Sequence, residues 1–437
     1  MGRAKTKGVR GRQRGSVAGS TGRRVGRRDK DKLAIHGGTP VRTKPFPQRR
    51  PFDQREIKAA TAAIRSQNLF WSGGKYVVAF EKKFPGYYGQ KYGVAATSGT
   101  AAIHLAVGAI NPNPGDEIIT APITDLGSVV PILLQNAIPV FADADPATMN
   151  MTPETVEAKI TQRTRAIIAV HLFGNACEID AIRRIARRHR IPLIEDCSQA
   201  HATRYKGKYL GTFGDIAAFS MQQSKHMTTG DGGIAISNNA RYGKRMKAFQ
   251  DKGWPYLRFG RRAYRFLAPN YRFNELQAAV ALEQLKKVRS VARRRQRLGT
   301  LLSKLIAGAP GVLPPAVTPG SEHTYWLYPL RIVGGPAKRF CKVLAAEGVG
   351  AWANYIGVPI FLCAETLTHK NTYGDSHCPF TCPSAGREYE YVDGMCPGAE
   401  EGLKHVAPIA LHEHYTERDI RDTARAICKV AQALYGG

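Results

Sequence analysis

One lysine stands out by its neighbours. In Ser220-Met-Gln-Gln-Ser-Lys225-His226-Met-Thr-Thr-Gly230-Asp-Gly-Gly233, Lys225 lies among small and hydroxyl residues just ahead of a Gly-Asp-Gly-Gly turn. Apolar runs lead in (Asp215 to Ser220) and out (Ile234 to Ser237). Two strands joined by a polar loop would hold the amine at a strand end, where sites in α/β sheets lie. Such an amine can act as a nucleophile. Most lysines are solvated surface charges, so this stretch alone leaves both readings open. A second group is Asp196, directly after Ile191-Pro-Leu-Ile-Glu195. A carboxylate partly buried at a strand end is costly unless paired, so it calls for an arginine in a structural ion pair or a protonated nitrogen of a ligand. The third group is Ser98-Gly99-Thr100, between an apolar run at 92–97 and a helical pattern at 101–110. A bare glycine, free N–H groups and a hydroxyl at a helix start suit a phosphate. A plain helix cap explains the same three residues.

The elements that must position these groups alternate. Asp53 to Ile64 reads as a capped amphipathic helix, Tyr76 to Tyr88 as a helix, and Tyr92 to Thr97 as a strand. Strands are expected at Asp116–Pro122, Pro139–Asp143, Arg165–His171 and Ile191–Glu195, and helices at Ser128–Asn136, Pro153–Ile160 and Glu178–Arg190. Strands alternating with helices give βαβ units and a mostly parallel sheet. Beyond the lysine loop, Arg241 to Lys252 is helical and Gly253 to Pro269 is a loop dense in Arg and Tyr. A long helix then opens at Asn270-Tyr-Arg-Phe-Asn-Glu275 and runs to about Ile306. After it come a strand at Tyr325–Ile332, a helix at Lys338–Glu347 and a closing helix from Thr416 to Leu434 with a capping-type start, the pattern of a smaller α+β unit. The expected division is therefore a tail at 1–32, a large domain at 33–305 and a small C-terminal domain at 306–437.

A chain of 437 residues is long enough for two domains and a large core. No stretch reaches the length of uninterrupted apolar residues that a membrane helix needs, and the basic N-terminus lacks the apolar stretch of a secretory signal. Eight scattered cysteines do not make a disulfide framework and fit a reducing, cytoplasmic setting. Cys363, His377, Cys378, Cys382 and Cys396 are spaced unlike structural zinc ligands and read as loop residues. Net charge is +30, and residues 1–32 hold twelve Lys/Arg against Asp29 and Asp31. That segment has almost nothing to bury and is expected to be disordered. Basic tails can contact nucleic-acid phosphates, but no aromatics interleave here to stack on bases, so a solvated extension is the favoured reading. The charge on the rest of the chain mildly favours an anionic substrate.

Taken together, a phosphate cradle, a buried strand-end acid and a loop lysine at the strand ends of one sheet are what pyridoxal 5'-phosphate needs. The lysine forms a Schiff base with its aldehyde. The acid keeps the pyridine nitrogen protonated, which makes the ring an electron sink. From about Leu33 to the C-terminus the sequence also resembles the DegT/StrS-type sugar and aminocyclitol aminotransferases. The resemblance rests on Ser98-Gly-Thr100, Pro139-Val-Phe-Ala-Asp143, His171-Leu-Phe-Gly174, Glu195-Asp-Cys-Ser-Gln-Ala-His201, Phe213-Gly-Asp215 and Ser220 to Gly233. Asn270-Tyr-Arg272 ahead of Glu275-Leu-Gln-Ala-Ala279 completes it. It implies an α/β, fold-type-I aminotransferase with Lys225 as Schiff-base lysine and proton shuttle and Asp196 as partner of the ring nitrogen. It further implies that Gln199 lies near the ring hydroxyl and that Gly99, Thr100 and Ser220 bind phosphate. Asn270 would reach the cofactor phosphate of a neighbouring subunit, making a homodimer the expected unit.

Many members stack an aromatic side chain on the cofactor from the turn where this chain has Asp125, within Ile123-Thr-Asp-Leu-Gly-Ser128. Some other contact must hold that face. A dehydratase branch replaces the lysine with histidine; here Lys225 is kept and His226 follows it. The expected activity is therefore transfer of an amino group from glutamate or glutamine to a keto-sugar, nucleotide-linked or not, or a keto-cyclitol. A pyridoxamine-dependent sugar dehydratase is the alternative enzyme. A regulatory or nucleic-acid-binding protein that uses the basic tail is the alternative of another class.

Overall fold

The computed structural model describes residues 32–72, 74–255 and 263–437. The basic tail, apart from Lys32, and the middle of the Arg- and Tyr-rich loop at 253–269 lie outside these residues.

The centre is a seven-stranded sheet. Its strands are β1 (Tyr92–Ala96), β2 (Glu117–Thr120), β3 (Ile138–Phe141), β4 (Thr164–Val170), β5 (Leu193–Asp196), β6 (Ile216–Ser220) and β7 (Gly233–Ser237). They lie in the order β1-β7-β6-β5-β4-β2-β3. The run from β6 to β3 is parallel, and β7 is antiparallel to both neighbours. Strands apolar on both faces, such as Ile167-Ile-Ala169 in β4, are fully buried, as parallel sheets with covered faces require. The β6–β7 pairing closes with Ser220 opposite Gly233. The lysine stretch is thus the polar connection between two neighbouring strands, as its flanking apolar runs require.

Helices cover the sheet. Asp53 caps α1 (Gln54–Arg65), its side chain accepting from Arg55 while Glu56 reaches back to the Asp53 N–H, a reciprocal capping box. The helices α2 (Tyr76–Tyr87) and α3 (Gly99–Ile110) flank β1, and Ala101 to Ile110 are all buried. Two further amphipathic helices, α4 (Ile179–Arg188) and α5 (Ala240–Phe249), complete the cover: α2 and α4 pack on one face of the sheet, α3 and α5 on the other. The long helix α6 (Glu275–Ile306), capped by Asn274, spans two cores. Ala278, Ala281, Leu285 and Val288 belong to the large core, and Leu298, Leu302 and Ile306 to a smaller one. That smaller core sits on the antiparallel sheet of β8 (Val312–Leu313), β9 (Tyr328–Ile332) and β10 (Val406–Ile409). The helices α7 (Ala337–Ala346) and α8 (Glu417–Tyr435) line it. Packing does not follow chain order: Leu33 enters the small core, whereas Phe361, Tyr391 and Leu403 enter the large one, with Phe361 5.0 Å from Phe141 between ring centroids.

Two expected elements come out differently. The helix expected at 128–136 is a single turn, Leu126–Ser128, then a short helix, Val130–Leu133, opened by Pro131 and followed by Asn136 at φ 54°. The strand expected from Tyr325 starts only at Tyr328, because Tyr325 takes φ 48° and stacks on His323 at 3.9 Å. Cys378 and Cys382 are joined by a disulfide across a short loop, while Cys363 is free and exposed and Cys396 free and buried. Among the described residues no helix is long and apolar enough to cross a membrane.

Candidate active site

The carboxyl ends of β5 and β6, the start of α3 and the β6–β7 loop surround one cavity of about 350 Å³. Gly99, Thr100, Asp196, Gln199, Ser220 and Lys225 all line it. Asn270 does not. It is exposed on the segment before α6, bridged to Asp251 and accepting from the Arg272 side chain at 2.9 Å.

At the start of α3, the Ser98 hydroxyl accepts from Ala101 N–H and caps the helix. Gly99 is required there for space, since a Cβ would come within 2.6 Å of Ser220 Cβ. The first turn therefore faces the cavity bare of side chain at that position, with its partial positive charge available to an anion.

Asp196 ends β5 and is buried. Its Oδ1 accepts from the Ser198 N–H at 3.0 Å and its Oδ2 from the Ser128 hydroxyl at 2.7 Å. Neighbouring Glu195 faces the other way, into the core. It accepts from the N–H groups of Gly211, Phe213 and Gly214, and His171 lies 3.2 Å away. His171, Glu195 and Cys197 converge closely enough to resemble a metal set, yet both oxygens of Glu195 are already taken by backbone donors, as in a structural lock. Gln199 Oε1 accepts from Phe173 N–H at 2.7 Å, which fixes its amide at the cavity wall.

Lys225 is half-buried, with Nζ 3.9 Å from the centroid of the Trp326 ring. Burial lowers its pKa and the charges of Asp196 and Asp125 raise it, leaving it at about 8 rather than 10.5. An amine so placed is partly neutral near physiological pH, as a nucleophile must be. His226 turns the opposite way. It is buried, donates to the Thr324 carbonyl at 3.0 Å and lies 6.3 Å from the His201 ring, and burial holds its pKa well below the usual histidine range.

The position where an aromatic was expected holds Asp125, exposed at the cavity edge and accepting from Gly127 N–H at 2.8 Å. Trp326 brings an aromatic wall from another element, its indole N–H shared between Ser224 O and Oγ at 3.2 Å. Sequence reasoning missed Trp326, Ser128 and Thr124, and also Arg49. The last, on the arm before α1, donates to the carbonyls of Gln223 (2.5 Å) and Lys225 (2.6 Å) and pairs with Glu413 at 2.9 Å. Of these, only Thr124 and Ser128 had a local signal, both lying in the stretch that holds Asp125. The overall charge also misleads locally: among the described lining residues Lys225 is the one cation, beside Asp125, Asp196 and Asp231.

Residues 51–382 match the DegT/DnrJ/EryC1/StrS aminotransferase family. The chain is 32% identical to the L-glutamine:2-deoxy-scyllo-inosose aminotransferase of Streptoalloteichus tenebrarius, over 91% of this chain and 97% of that protein. It is 37% identical to the GDP-perosamine synthase of Caulobacter vibrioides over 60% of this chain and 71% of the other. Among solved structures, the aminotransferase from Psychrobacter cryohalolentis superposes with a TM-score of 0.76 at 27% identity, covering 90% of this chain and all (100%) of that one.

Proposed function

The chain belongs to the DegT/DnrJ/EryC1/StrS aminotransferase family, and on that premise we propose that it moves an amino group from glutamine or glutamate to the ketone of a cyclitol or sugar, with pyridoxal 5'-phosphate held in the cavity around Lys225. The observation that carries this reading is the meeting of Lys225, Asp196 and the bare start of α3 on one cavity. The donor set suits that group: backbone N–H groups and the Thr100 and Ser220 hydroxyls for a phosphate, a carboxylate for a protonated ring nitrogen, and an amine for an aldehyde. The space that Gly99 leaves against Ser220 would be lost to any side chain.

Pyridoxal phosphate, when bound, supplies the electron sink for charge developing at the donor's α-carbon. The chain supplies the rest. Lys225 Nζ would be the attachment point and would then hold and return the donor's α-proton. Its pKa of about 8 places both protonation states within reach at neutral pH. Asp196 offers the ring nitrogen a carboxylate already oriented by two donors. Gln199, on the cavity wall, would meet the ring hydroxyl, and Thr100 and Ser220 would hold the phosphate. Lys225 in the cavity with His226 in the core supports amino transfer over dehydration.

The reading takes a homodimer in the cytoplasm as the working unit, with Asn270 serving the partner's cavity. Supporting it, Asn270 lies outside its own cavity, and Leu69, Phe70, Tyr264 and Leu267 stand exposed. The test is incubation of the cofactor-loaded protein with glutamine or glutamate and a panel of keto-cyclitols and keto-sugars, followed by mass spectrometry. One aminated product is expected, lost in Lys225→Ala together with the visible absorbance of the bound cofactor. A wild-type protein that shows neither product nor absorbance would sink the reading.

A further inference from the structure

Two hydroxyls beside Asp196, on the wall of the same cavity, are not needed to cap the turn that carries them. Ser128 and Thr124 are buried, at 1% and 2% exposure. Ser128 closes the turn Leu126–Ser128, but that turn is already capped by the Asp125 side chain, and the Ser128 N–H goes to the Asp125 carbonyl. The Ser128 hydroxyl is therefore not needed as a cap. It stands 2.7 Å from Asp196 Oδ2, and Thr124 Oγ1 stands 2.8 Å from Ser128 Oγ. The direction of both bonds follows from the proton inventory. An ionised carboxylate only accepts and a serine hydroxyl has one proton. Ser128 must give that proton to Asp196, and Thr124 must give its own to Ser128. The result is a two-step donor chain ending on the carboxylate, running from the turn after β2 to the end of β5.

We propose that Ser128, backed by Thr124, is a positioning residue for Asp196, fixing the carboxylate that the proposed function assigns to the cofactor's ring nitrogen. The inference rests on that reading. It goes beyond it by giving the turn at 124–128 a task that does not depend on the aromatic contact missing at Asp125. With Oδ1 held by Ser198 N–H and Oδ2 by Ser128, the carboxylate plane is fixed from two sides. Each oxygen keeps one lone-pair direction free. Thr124 keeps Ser128 from rotating its proton elsewhere, and such chains strengthen their terminal bond by mutual polarisation.

The test uses the full chain loaded with pyridoxal phosphate and three variants: Ser128→Ala, Ser128→Thr and Thr124→Val. Two readouts distinguish positioning from plain structure. One is the pH midpoint of the visible absorbance of the bound cofactor. The other is the rate of the half-reaction with L-glutamine, or with L-glutamate, at saturating donor, set against the half-saturating concentration. Ser128→Ala is expected to move the midpoint by about one pH unit and to slow the saturated rate about tenfold, the scale of one hydrogen bond to a charged group. Half-saturation should stay nearly unchanged. Ser128→Thr keeps the hydroxyl and should restore both values, and Thr124→Val should shift them less, in the same direction. Should Ser128→Ala not fold, Thr124→Val carries the test with the same two outcomes. Variants that only melt earlier, with midpoint and saturated rate as in wild type, overturn the inference. A wild type that takes up no cofactor overturns the proposed function, and this inference with it.

Discussion

Glu413 joins the small domain to the lysine loop, and removing its charge should be felt in both. Its Oε1 accepts from Arg49 Nε at 2.9 Å, and its Oε2 from Arg295 Nε at 2.8 Å. Arg49 in turn holds the carbonyls of Gln223 and Lys225, and Arg295, whose side chain is 1% exposed, donates to the Trp326 carbonyl at 3.3 Å. Burial by itself would raise the Glu413 pKa. The charges of Arg295 and then Arg49 more than offset it and bring the carboxyl from 4.5 to about 2. At about 1.4 kcal/mol per pH unit that difference is worth roughly 3 kcal/mol. The folded value lies below the unfolded one, so this contribution is complete above about pH 4.5 and is lost as pH falls toward 2. Burial meanwhile lowers Arg295 from 12.5 to about 10, so interring that guanidinium costs about as much as the carboxylate returns. Glu413→Gln should therefore destabilise the apoprotein by about 3–5 kcal/mol at pH 7, because a buried charge is left without its counter-charge. Adding Arg295→Met should recover most of the loss. Urea unfolding followed by tryptophan fluorescence measures both, and the gap between wild type and Glu413→Gln should narrow below pH 4.5. A single-variant loss under about 1 kcal/mol, or a double variant no more stable than the single, would refute the reasoning.

Gly99→Ala forces a Cβ to within 2.6 Å of Ser220 Cβ and 2.9 Å of its Oγ. It should destabilise the apoprotein by about 1–3 kcal/mol and weaken uptake of pyridoxal phosphate in a fluorescence titration; unchanged uptake would remove Gly99 from the cradle. Asp125→Asn takes away one of the two charges that raise Lys225, so the pH midpoint for amine-selective labelling of Lys225 in the apoprotein should fall below about 8, and a midpoint at or above the wild-type value would count against the assignment. Because the folded pKa of Lys225 lies below its unfolded 10.5, the unfolded chain binds more protons between about pH 8 and 10.5, and stability rises with pH there. Lys225→Met should accordingly melt above wild type at pH 7 and lose that advantage by about pH 10.5; an equal difference at both pH values would contradict the burial account.

What the sequence made legible was whatever local chemistry determines. Asp196, Ser220 and Lys225 sit where apolar runs end, Gly99 and Thr100 where one gives way to a helix, and a strand end in a parallel sheet points into a crevice by construction. Asp53 and Thr416 announced their helices by capping chemistry. Boundaries failed where one backbone angle decided them, at Asn136 and Tyr325. The supporting residues were beyond reach for a different reason. Arg49 is 176 residues from the Lys225 carbonyl it holds, and Ser128 is 68 from Asp196. Nothing in an arginine on a polar arm, or a serine in a turn, says which distant acceptor it meets.

The contrast between global and local charge bears on the substrate. A net +30 suggested an anionic ligand, but long-range charge is screened over about 8–10 Å in physiological salt, and a ligand in the cavity meets the groups that line it. Those include Asp125 and Asp231 beside Lys225, with hydroxyls at Ser98, Thr100, Thr124, Ser128, Ser198, Ser220 and Ser224. Asp125 matters most, because it is exposed to the cavity and one of its oxygens is not engaged by the Gly127 N–H. A carboxylate at that position offers an acceptor to a hydroxyl or an ammonium, which an aromatic face could not do. The same charge holds Lys225 higher than burial alone would leave it. Asp125 therefore acts twice, offering an acceptor at the cavity edge and keeping the proton of Lys225 within reach of neutral pH.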